Sequence, residues 1–237
     1  MAKVGGTTAA AEAYIKSTMP HVQVSYCHSS LGTKISIQRI GDIKHYSGRN
    51  LQATGAKLQE MGETTRSDLG TADLMMYMGY ERYVLLKLTS LEKTANTFLM
   101  TDLLLSTYFS TISSDYYGTV GIAWGKVVCN SAAYNHYKES INEWRNTHAE
   151  AGHVIAHEIG HNLGMDHDFS TAHAAAGCNG KGIMSYGDPP NQWSECSVKD
   201  LQAHYLTNKN NWCMDCKFFF LFFSKFYKYP TTFKSYF

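Results

Sequence analysis

The sequence predicts an α/β fold, in which a mostly parallel sheet is covered by helices on both faces. Helical and strand patterns alternate along the first third of the chain, an order typical of this class. Residues 74–78 read Leu-Met-Met-Tyr-Met, a short and continuously apolar run that is typical of a central parallel strand buried on both faces. The 237 residues are enough for one domain with a sizeable core.

Local composition predicts the first helix and the first strand. Residues 8–18 are rich in alanine and favour a helix by propensity. Pro20 is expected to break or kink that helix, because proline lacks the backbone N–H that an interior position donates. Isoleucines at alternate positions predict a strand at 34–40, which Gly41 ends.

A second helix is predicted ahead of the apolar strand. Leu51, Leu58 and Met61 lie near one helical face and place this helix at about 48–61. After the apolar strand, residues 81–118 contain apolar runs but no pattern from which we assign a structure.

A third helix is predicted at 148–163, and both of its ends are specified locally. Thr147 and Glu150 form the S/T-x-x-E pattern of a capping box immediately before an apolar run. Apolar residues recur at helical spacing through this stretch. Gly164 can take the left-handed conformation that ends a helix.

Residues 157–168 carry the strongest chemical signal in the chain, His-Glu-Ile-Gly-His-Asn-Leu-Gly-Met-Asp-His-Asp. On a helix, His157 and His161 project from one face one turn apart, so that two imidazole nitrogens can reach one Zn²⁺. A turn at Gly164 can then bring in His167 as a third ligand. Three imidazoles leave one coordination position open, which is typical of a catalytic zinc site.

Glu158 follows the first histidine directly, where it can act on a zinc-bound water without being a ligand itself. The bare H-E-x-x-H pattern is modest evidence, because it also occurs by chance on amphipathic helices with two surface histidines; the residues that follow it make it specific. His153 lies eight residues before His161, about 12 Å along the helix, which is too far for both to hold one ion.

The extended motif, followed by Gly-Ile-Met-Ser at 182–185, resembles the metzincin zinc endopeptidases, in which a methionine turn lies beneath the zinc site. Met184 matches that methionine. Asp168, directly after the third histidine, and Asn162 resemble the reprolysin (adamalysin) branch of snake-venom and disintegrin-type metalloproteases. The stretch 184–197 is most similar to reprolysins of arthropod, especially scorpion, venoms.

The resemblance is firm over about 119–216 and weaker over 7–80. It implies a metzincin catalytic domain over 1–216, with a twisted, mostly parallel sheet and one antiparallel edge strand. An upper part reaching to about residue 164 is expected to stand above a small irregular subdomain over 165–216.

The lower subdomain is expected to contain one helix at about 198–208, where Ser197 begins a capping-box pattern. Asp168 is expected to make a buried structural hydrogen bond there instead of taking part in proton transfer. The helix is expected to support the subdomain.

The resemblance also assigns roles at the metal. It implies that one Zn²⁺ per chain is held by His157, His161 and His167. Glu158 is the implied general base toward the metal-bound water. Met184 is expected to support the site from beneath without ligating the metal.

Substrate binding is expected on two segments. Gly121, Ile122 and Ala123 resemble the Gly-x-Ala edge strand of the family, which forms the upper rim of the cleft. An exposed edge can bind an extended peptide through main-chain hydrogen bonds, although the same pattern also occurs in ordinary edge strands. Ser185 and Tyr186 are expected to wall the pocket for the residue that follows the cut.

The implied activity is hydrolysis of internal peptide bonds by a secreted, monomeric endopeptidase, with extracellular-matrix or plasma proteins as substrates. Binding of Ca²⁺ stays open, because the calcium site of the family uses an N-terminal acidic residue that this sequence lacks. Two alternatives are a toxin or interaction module that keeps the zinc site without catalysis, and a zinc aminopeptidase of another clan. The third histidine speaks against the aminopeptidase, since other HExxH enzymes usually take a distant glutamate.

Six cysteines in a chain with this motif indicate an oxidising compartment. The resemblance implies two disulfides, Cys129–Cys213 and Cys178–Cys196. The two cysteines that remain are Cys27 and Cys216. They can pair with each other, or the second can pair with a cysteine outside this chain.

The two ends of the chain differ from a complete member of the family. Residues 1–6 contain no apolar core of a signal peptide, and the first strand of the family is missing, so we expect a truncated start. Residues 217–237 hold eight of the 11 phenylalanines, four lysines and no acidic residue. We interpret this tail as translated non-coding sequence outside the fold, the alternative being a membrane-interface anchor.

Composition argues against two classes of partner. With a net charge of +1 and no basic patch, the sequence does not favour nucleic acid. No apolar stretch reaches the ~18 residues that a transmembrane helix needs. Peptides and proteins remain the expected partners.

Overall fold

The computed structural model describes most of the chain in nine segments. The described residues are 7–45, 55–68, 72–78, 82–91, 100–103, 108–109, 120–128, 137–187 and 190–208. The helices within them are α1 (Thr8–Cys27), α2 (Gly55–Thr65), α3 (His148–Asn162), α4 (Thr171–Ala175) and α5 (Glu195–Asn208), with short 3₁₀ turns at Ser29–Leu31 and Arg66–Asp68. The strands are β1 (Ile35–His45), β2 (Leu74–Met78), β3 (Arg82–Leu91), β4 (Met100–Leu103), β5 (Tyr108–Phe109), β6 (Gly121–Gly125) and β7 (Glu139–Asn142).

The strands form a mixed sheet in the order β1-β3-β2-β7-β6-β5, and β4 pairs with β3 beside this row. Among the described strands only β2 and β7 pair in parallel. The α/β class is confirmed, whereas the predicted predominance of parallel strands is not found. The difference comes from β3, which follows β2 after a short connection and therefore runs antiparallel to it, since a parallel neighbour needs a long crossover.

Helices cover both faces of the sheet. Gly121 on β6 pairs with Asn142 on β7, and a Cβ at Gly121 would meet Glu158 of α3. Glu139 lies at the other end of β7 with its side chain on the opposite face, where its carboxylate meets Gly62 of α2. Thus α3 and α2 lie on opposite faces, as the sequence predicted.

The predicted central strand is buried along its whole length. All five side chains of Leu74–Met78 are 0–1% exposed. On one side β2 pairs in parallel with β7, and on the other it pairs antiparallel with β3. The continuous apolar run therefore correctly indicated a strand covered on both faces, although it is parallel to only one neighbour.

The first helix passes through its proline. α1 extends from Thr8 to Cys27 with Pro20 inside it, so the predicted break does not occur. Ile15 and Val22, on either side of the proline, are buried in the core, and this packing compensates for the missing hydrogen bond. Although α1 has 20 residues, neither it nor another helix in the described part of the chain is long and apolar enough to cross a membrane.

Two elements in the first half extend beyond their predicted ends. β1 continues past Gly41, which adopts a φ of +69°, and its register with β3 shifts between Ile40 and Lys44. α2 covers the second part of the helix predicted at 48–61 and continues to Thr65. Residues 46–54, where that helix was predicted to begin, lie outside the described residues.

Two of the three described helices in the second half of the chain, α3 and α5, have capped starts. The predicted capping box of α3 is present, with Thr147 and Glu150 bonded reciprocally. α5 begins at Glu195, earlier than predicted, because Ser194 caps it: the backbone N–H of Ser197 donates to Ser194 Oγ over 3.1 Å. The capping pattern was therefore assigned to the wrong serine.

The predicted edge strand has a neighbour. β6 runs antiparallel to β7, as expected. However, β5 pairs with β6 at Trp124 and Gly125, so β6 is not the edge of the sheet over these two residues. The reason is that β5 comes from the stretch 81–118, to which no structure was assigned.

Candidate metal centre and active site

Three buried histidines converge on one point. The ligand atoms of His157, His161 and His167 all lie within 4.8 Å of one another. The Nε2 atoms of His161 and His167 are 3.0 Å apart, and those of His167 and His157 are 3.2 Å apart. In the segments that the structure covers, this is the one group of potential metal ligands found, and His153 is not a member of it.

Helix α3 and the turn after it place these side chains. His157 and His161 lie one turn apart on α3, as their spacing predicts. Gly164 ends the helix with a φ of +95°, which is the left-handed conformation predicted for it. The N–H of Gly164 donates to the His161 carbonyl over 2.9 Å, and the chain then returns to bring His167 beside the other two rings.

Backbone carbonyls hold the second ring nitrogen of two histidines. His157 Nδ1 lies 2.8 Å from the carbonyl oxygen of Ile183, and His161 Nδ1 lies 2.9 Å from that of Met165. Because a carbonyl can only accept, each Nδ1 carries the proton and donates it. Each Nε2 therefore presents a lone pair to the cluster, which is the usual arrangement in metal-binding histidines.

The protonation state of the cluster fits a metal ion. Burial lowers the pKa of His157 to about 3 and the pKa of His167 to about 4. Burial and the neighbouring imidazoles lower the pKa of His161 well below its usual range. All three rings are thus neutral at pH 7, and their lone pairs repel one another unless a cation lies between them.

The nitrogen spacing is compatible with zinc. Bonds of 2.0–2.1 Å in tetrahedral geometry place imidazole nitrogens about 3.3–3.4 Å apart. The distances of 3.0 and 3.2 Å between the Nε2 atoms are close to this separation. Three imidazoles without a fourth protein ligand are typical of a catalytic site.

Glu158 lies next to the cluster on α3 and is 2% exposed. Its Oε2 has no hydrogen-bond partner among the described residues. Burial raises the pKa of Glu158 well above its usual range. The pKa of Tyr186 is raised to about 12, first by burial and second by the charge of Glu158. An unpaired buried carboxylate beside potential metal ligands is typical of a proton-transferring group.

Met184 packs beneath the metal-binding part of α3. It is fully buried, and a Cβ at Gly160 would lie 2.6 Å from the Met184 sulfur. The glycine in the motif therefore allows the methionine to approach the helix closely. The carbonyl of the preceding Ile183 is the group that holds His157, so this turn also orients one of the three rings.

Asp168 makes the buried structural hydrogen bonds predicted for it. It is 0% exposed, and its carboxylate accepts from the hydroxyls of Ser185, Ser194 and Ser197. Its backbone N–H donates to the Met184 carbonyl over 3.0 Å. The segment that carries the third histidine is thereby tied to the methionine turn and to α5.

The disulfide Cys178–Cys196 is present and joins the loop before the methionine turn to α5, which confirms its prediction. Cys27 is free and half-buried in the part of the chain that the structure describes. Cys129, Cys213 and Cys216 lie outside the described residues. The Cys129–Cys213 pairing stays a prediction.

The residues predicted to bind substrate fall into three environments. Gly121, Ile122 and Ala123 lie on β6, each of them buried. Ser185 is 4% exposed and donates its hydroxyl to Asp168. Tyr186 is 53% exposed and stacks on His157, with ring centroids 6.3 Å apart.

Sequence reasoning missed three side chains at the site. Phe169 stacks on His167 with ring centroids 4.4 Å apart. His173 Nδ1 lies 3.0 Å from the carbonyl oxygen of His167, and His204 of α5 packs on the turn at Gly164. Phe169 and His173 could have been suspected from their closeness to the motif, whereas His204 has no signal in the sequence.

Comparison with known proteins identifies the family. The Reprolysin_5 model of metallo-peptidase family M12 matches residues 1–197. The snake venom metalloproteinase fibrolase of Macrovipera lebetinus is 46% identical over 65 residues, which are 26% of this chain and 30% of that protein. The snake venom metalloproteinase TM-1 of Protobothrops mucrosquamatus is 41% identical over 61 residues, which are 26% of this chain and 29% of that protein.

These alignments are short, and the chain spans no more than 30% of the length of these two curated relatives. Both relatives come from snakes, so the expected similarity to arthropod venom enzymes stays a prediction. The family match is far more extensive and includes the whole of the histidine cluster. This chain belongs to the reprolysin-type metallo-peptidase family M12.

Proposed function

We propose that this protein is a secreted zinc endopeptidase that hydrolyses internal peptide bonds of extracellular proteins. The observation that carries the proposal is the convergence of three neutral imidazole nitrogens beside the buried carboxylate of Glu158, whose Oε2 has no hydrogen-bond partner among the described residues. The family match and the similarity to two venom metalloproteinases support the same reaction. A disulfide on the lower subdomain supports an oxidising, extracellular compartment.

The metal in this proposal is one Zn²⁺ per chain, held by His157, His161 and His167. Zinc at this position supplies a Lewis acid that polarises a peptide carbonyl and makes water more acidic. Ile183 and Met165 contribute by fixing the orientation of two of the rings through their carbonyls. Met184 supports the cluster by packing beneath α3 and is not a ligand.

Glu158 is the general base in the proposal. Its carboxylate takes a proton from the attacking water as the water oxygen bonds to the carbonyl carbon. It then delivers that proton to the nitrogen of the leaving amine as the C–N bond breaks. The direct products are one carboxylic acid and one amine, which exchange the second proton of the water to give a carboxylate and an ammonium ion at neutral pH, and Glu158 is returned to its starting state.

Peptide binding is assigned to β6 and to the segment after Met184. Among the described residues, the ladder between β5 and β6 involves Trp124 and Gly125 and gives Gly121–Ala123 no partner on that side of the strand. An extended substrate can pair with this part of the strand through main-chain hydrogen bonds. The exposed ring of Tyr186, 5.2 Å from the ring of His167, provides an apolar wall beside the bond to be cut.

The test of this function is the substitution Glu158→Gln. We expect the variant to keep one zinc per chain and to lose cleavage of an internally quenched peptide with both ends blocked. Glu195→Gln is the matched control, since Glu195 is a well-exposed carboxylate on α5. Undiminished cleavage by Glu158→Gln would contradict the mechanism, and zinc binding without cleavage by the wild type would indicate a binding module instead.

A further inference from the structure

We infer that Gly121 is a positioning residue for Glu158, because the missing side chain of this glycine provides the space that the carboxylate occupies. The inference rests on the proposed function, since the position of Glu158 affects catalysis only if Glu158 is the general base. From the sequence alone, Gly121 was assigned to peptide binding.

The contact between the two residues is close. A Cβ built on Gly121 would lie 2.4 Å from Oε1, 2.8 Å from Cγ and 2.9 Å from Cδ of Glu158. Real Cβ atoms essentially never approach other heavy atoms to less than 3.0 Å. Because both the stem and the head of the side chain are involved, a rotation of the carboxylate about its last bond cannot relieve the overlap. The whole Glu158 side chain would have to move.

The backbones on both sides of this contact are held in place. Gly121 pairs with Asn142 in the ladder between β6 and β7. At the other end of β6, the side-chain amide of Asn162, the last residue of α3, donates to the carbonyl of Trp124 over 2.7 Å. The strand is thus bound to its neighbour in the sheet and to the helix that carries Glu158. A methyl group at position 121 would therefore displace the side chain more readily than either backbone.

One of the two carboxylate oxygens is not fixed by a hydrogen bond to the described residues. Oε2 of Glu158 has no partner among the described residues, although the side chain is almost completely buried. Steric contact with Gly121 is therefore a main determinant of where the carboxylate lies relative to His157 and His161. Proton transfer to and from the reacting water depends on this position of the carboxylate.

The contact can be tested by a double-mutant cycle on the full chain after removal of metal with a chelator. We expect Gly121→Ala to lower the Tm by about 2–10 °C, since it adds a methyl group to a filled space. In the Glu158→Ala background the carboxylate is gone, and the same substitution is expected to lower the Tm by less than half as much.

Gly62→Ala is the matched control. A Cβ at Gly62 would also lie 2.4 Å from a buried carboxyl group, but that group belongs to Glu139 on the other face of the sheet. The effect of Gly62→Ala on the Tm is expected to be the same with and without the Glu158 side chain. Coupling that is specific to Gly121 would therefore not be a general property of overpacked variants.

The results of the double-mutant cycle either support or overturn the inference. A smaller effect of Gly121→Ala in the Glu158→Ala background supports the inference, as does a Gly121→Ala protein that folds only when Glu158 is also replaced. Equal losses of Tm in the two backgrounds, or a failure to fold in both, would overturn it.

Kinetics then distinguish positioning from peptide binding. With one zinc per chain retained, we expect Gly121→Ala to lower kcat by about 10²-fold with little change in KM. A rise in KM at unchanged kcat would assign Gly121 to peptide binding alone. If the wild type cleaves no peptide, the proposed function fails, while the stability cycle still reports whether Gly121 and Glu158 are in contact.

Discussion

The side chain of His204 lies directly against Gly164, so closely that a Cβ on the glycine would come within 2.6 Å of the His204 Cβ. Gly164 also has a φ of +95°, which non-glycine residues rarely adopt. The helix α5 therefore packs on the turn that carries the chain from α3 to the third histidine. This relationship leads to the first prediction.

Gly164→Ala is expected to lower the free energy of unfolding by about 2–4 kcal/mol and to weaken zinc binding, because it adds backbone strain and a clash at one position. Gly41→Ala is the control, since Gly41 has a φ of +69° with no atom near the added Cβ. It isolates the strain term, which is about 1 kcal/mol. Urea unfolding and chelator competition would measure both effects, and equal losses in the two variants would contradict the role of His204.

The pH dependence of stability is expected to include a contribution from His204. Burial, assisted by the charge of Lys126, lowers the pKa of His204, although a hydrogen bond to the carbonyl of Val128 opposes this. The unfolded chain therefore binds more protons than the folded one just below the ordinary histidine pKa of about 6.5. Stability is present above that pH and is lost as the pH falls toward the lowered pKa.

The substitution His204→Gln tests this contribution. Urea unfolding of the metal-free protein would be measured between pH 7.5 and pH 5, values of about one unit or more on either side of the ordinary histidine pKa. As the pH falls over this range, the variant should lose less stability than the wild type. The three clustered histidines, His157, His161 and His167, titrate in both proteins, so their contribution cancels in the comparison. Parallel stability curves over this range would show that His204 does not contribute.

Asp168→Asn is expected to lower the free energy of unfolding by about 2–4 kcal/mol, because one acceptor oxygen becomes an amide donor that faces serine hydroxyls. Zinc affinity should fall as well, since Asp168 ties the segment carrying His167 to the methionine turn. Asp166→Asn provides the control, because Asp166 is exposed. Denaturant unfolding and zinc titration would check the prediction, which fails if the two variants behave alike.

Removal of the disulfide by replacing Cys178 and Cys196 with serine is expected to cost about 3 kcal/mol, given a sequence separation of 18 residues. The effect should be largest around the loop of Cys178 and the start of α5, which the bridge joins. Cys27→Ser is the control, because Cys27 forms no disulfide. Thermal unfolding of the wild type, the double variant and Cys27→Ser would measure the contribution of the bridge to stability. A double variant as stable as Cys27→Ser would show that the bridge contributes little.

Local signals explain what could be predicted from the sequence. The capping box at Thr147, the helical spacing of His157 and His161 and the turn at Gly164 each depend on residues close together in the chain. The structure places them as predicted. The same holds for the apolar run of β2, whose burial follows from its composition.

Long-range contacts explain what could not be predicted. The pairing of β3 with β1 joins segments that are distant in the sequence, and the composition of β3 does not specify it. The contact of Gly121 with Glu158 joins a strand and a helix that are separate in the sequence. Pro20 would end an isolated helix, and only the packing of α1 on the core allows the helix to continue.

The most direct measurement is cleavage of a blocked peptide by metal-free protein to which zinc is added in steps. We expect cleavage to be absent at first, to rise in proportion to the added zinc and to level off at one zinc per chain. A chelator should abolish it, and product analysis should show an internal bond cut. Cleavage that is unaffected by chelation, or none at one bound zinc per chain, would contradict a zinc endopeptidase built on His157, His161, His167 and Glu158.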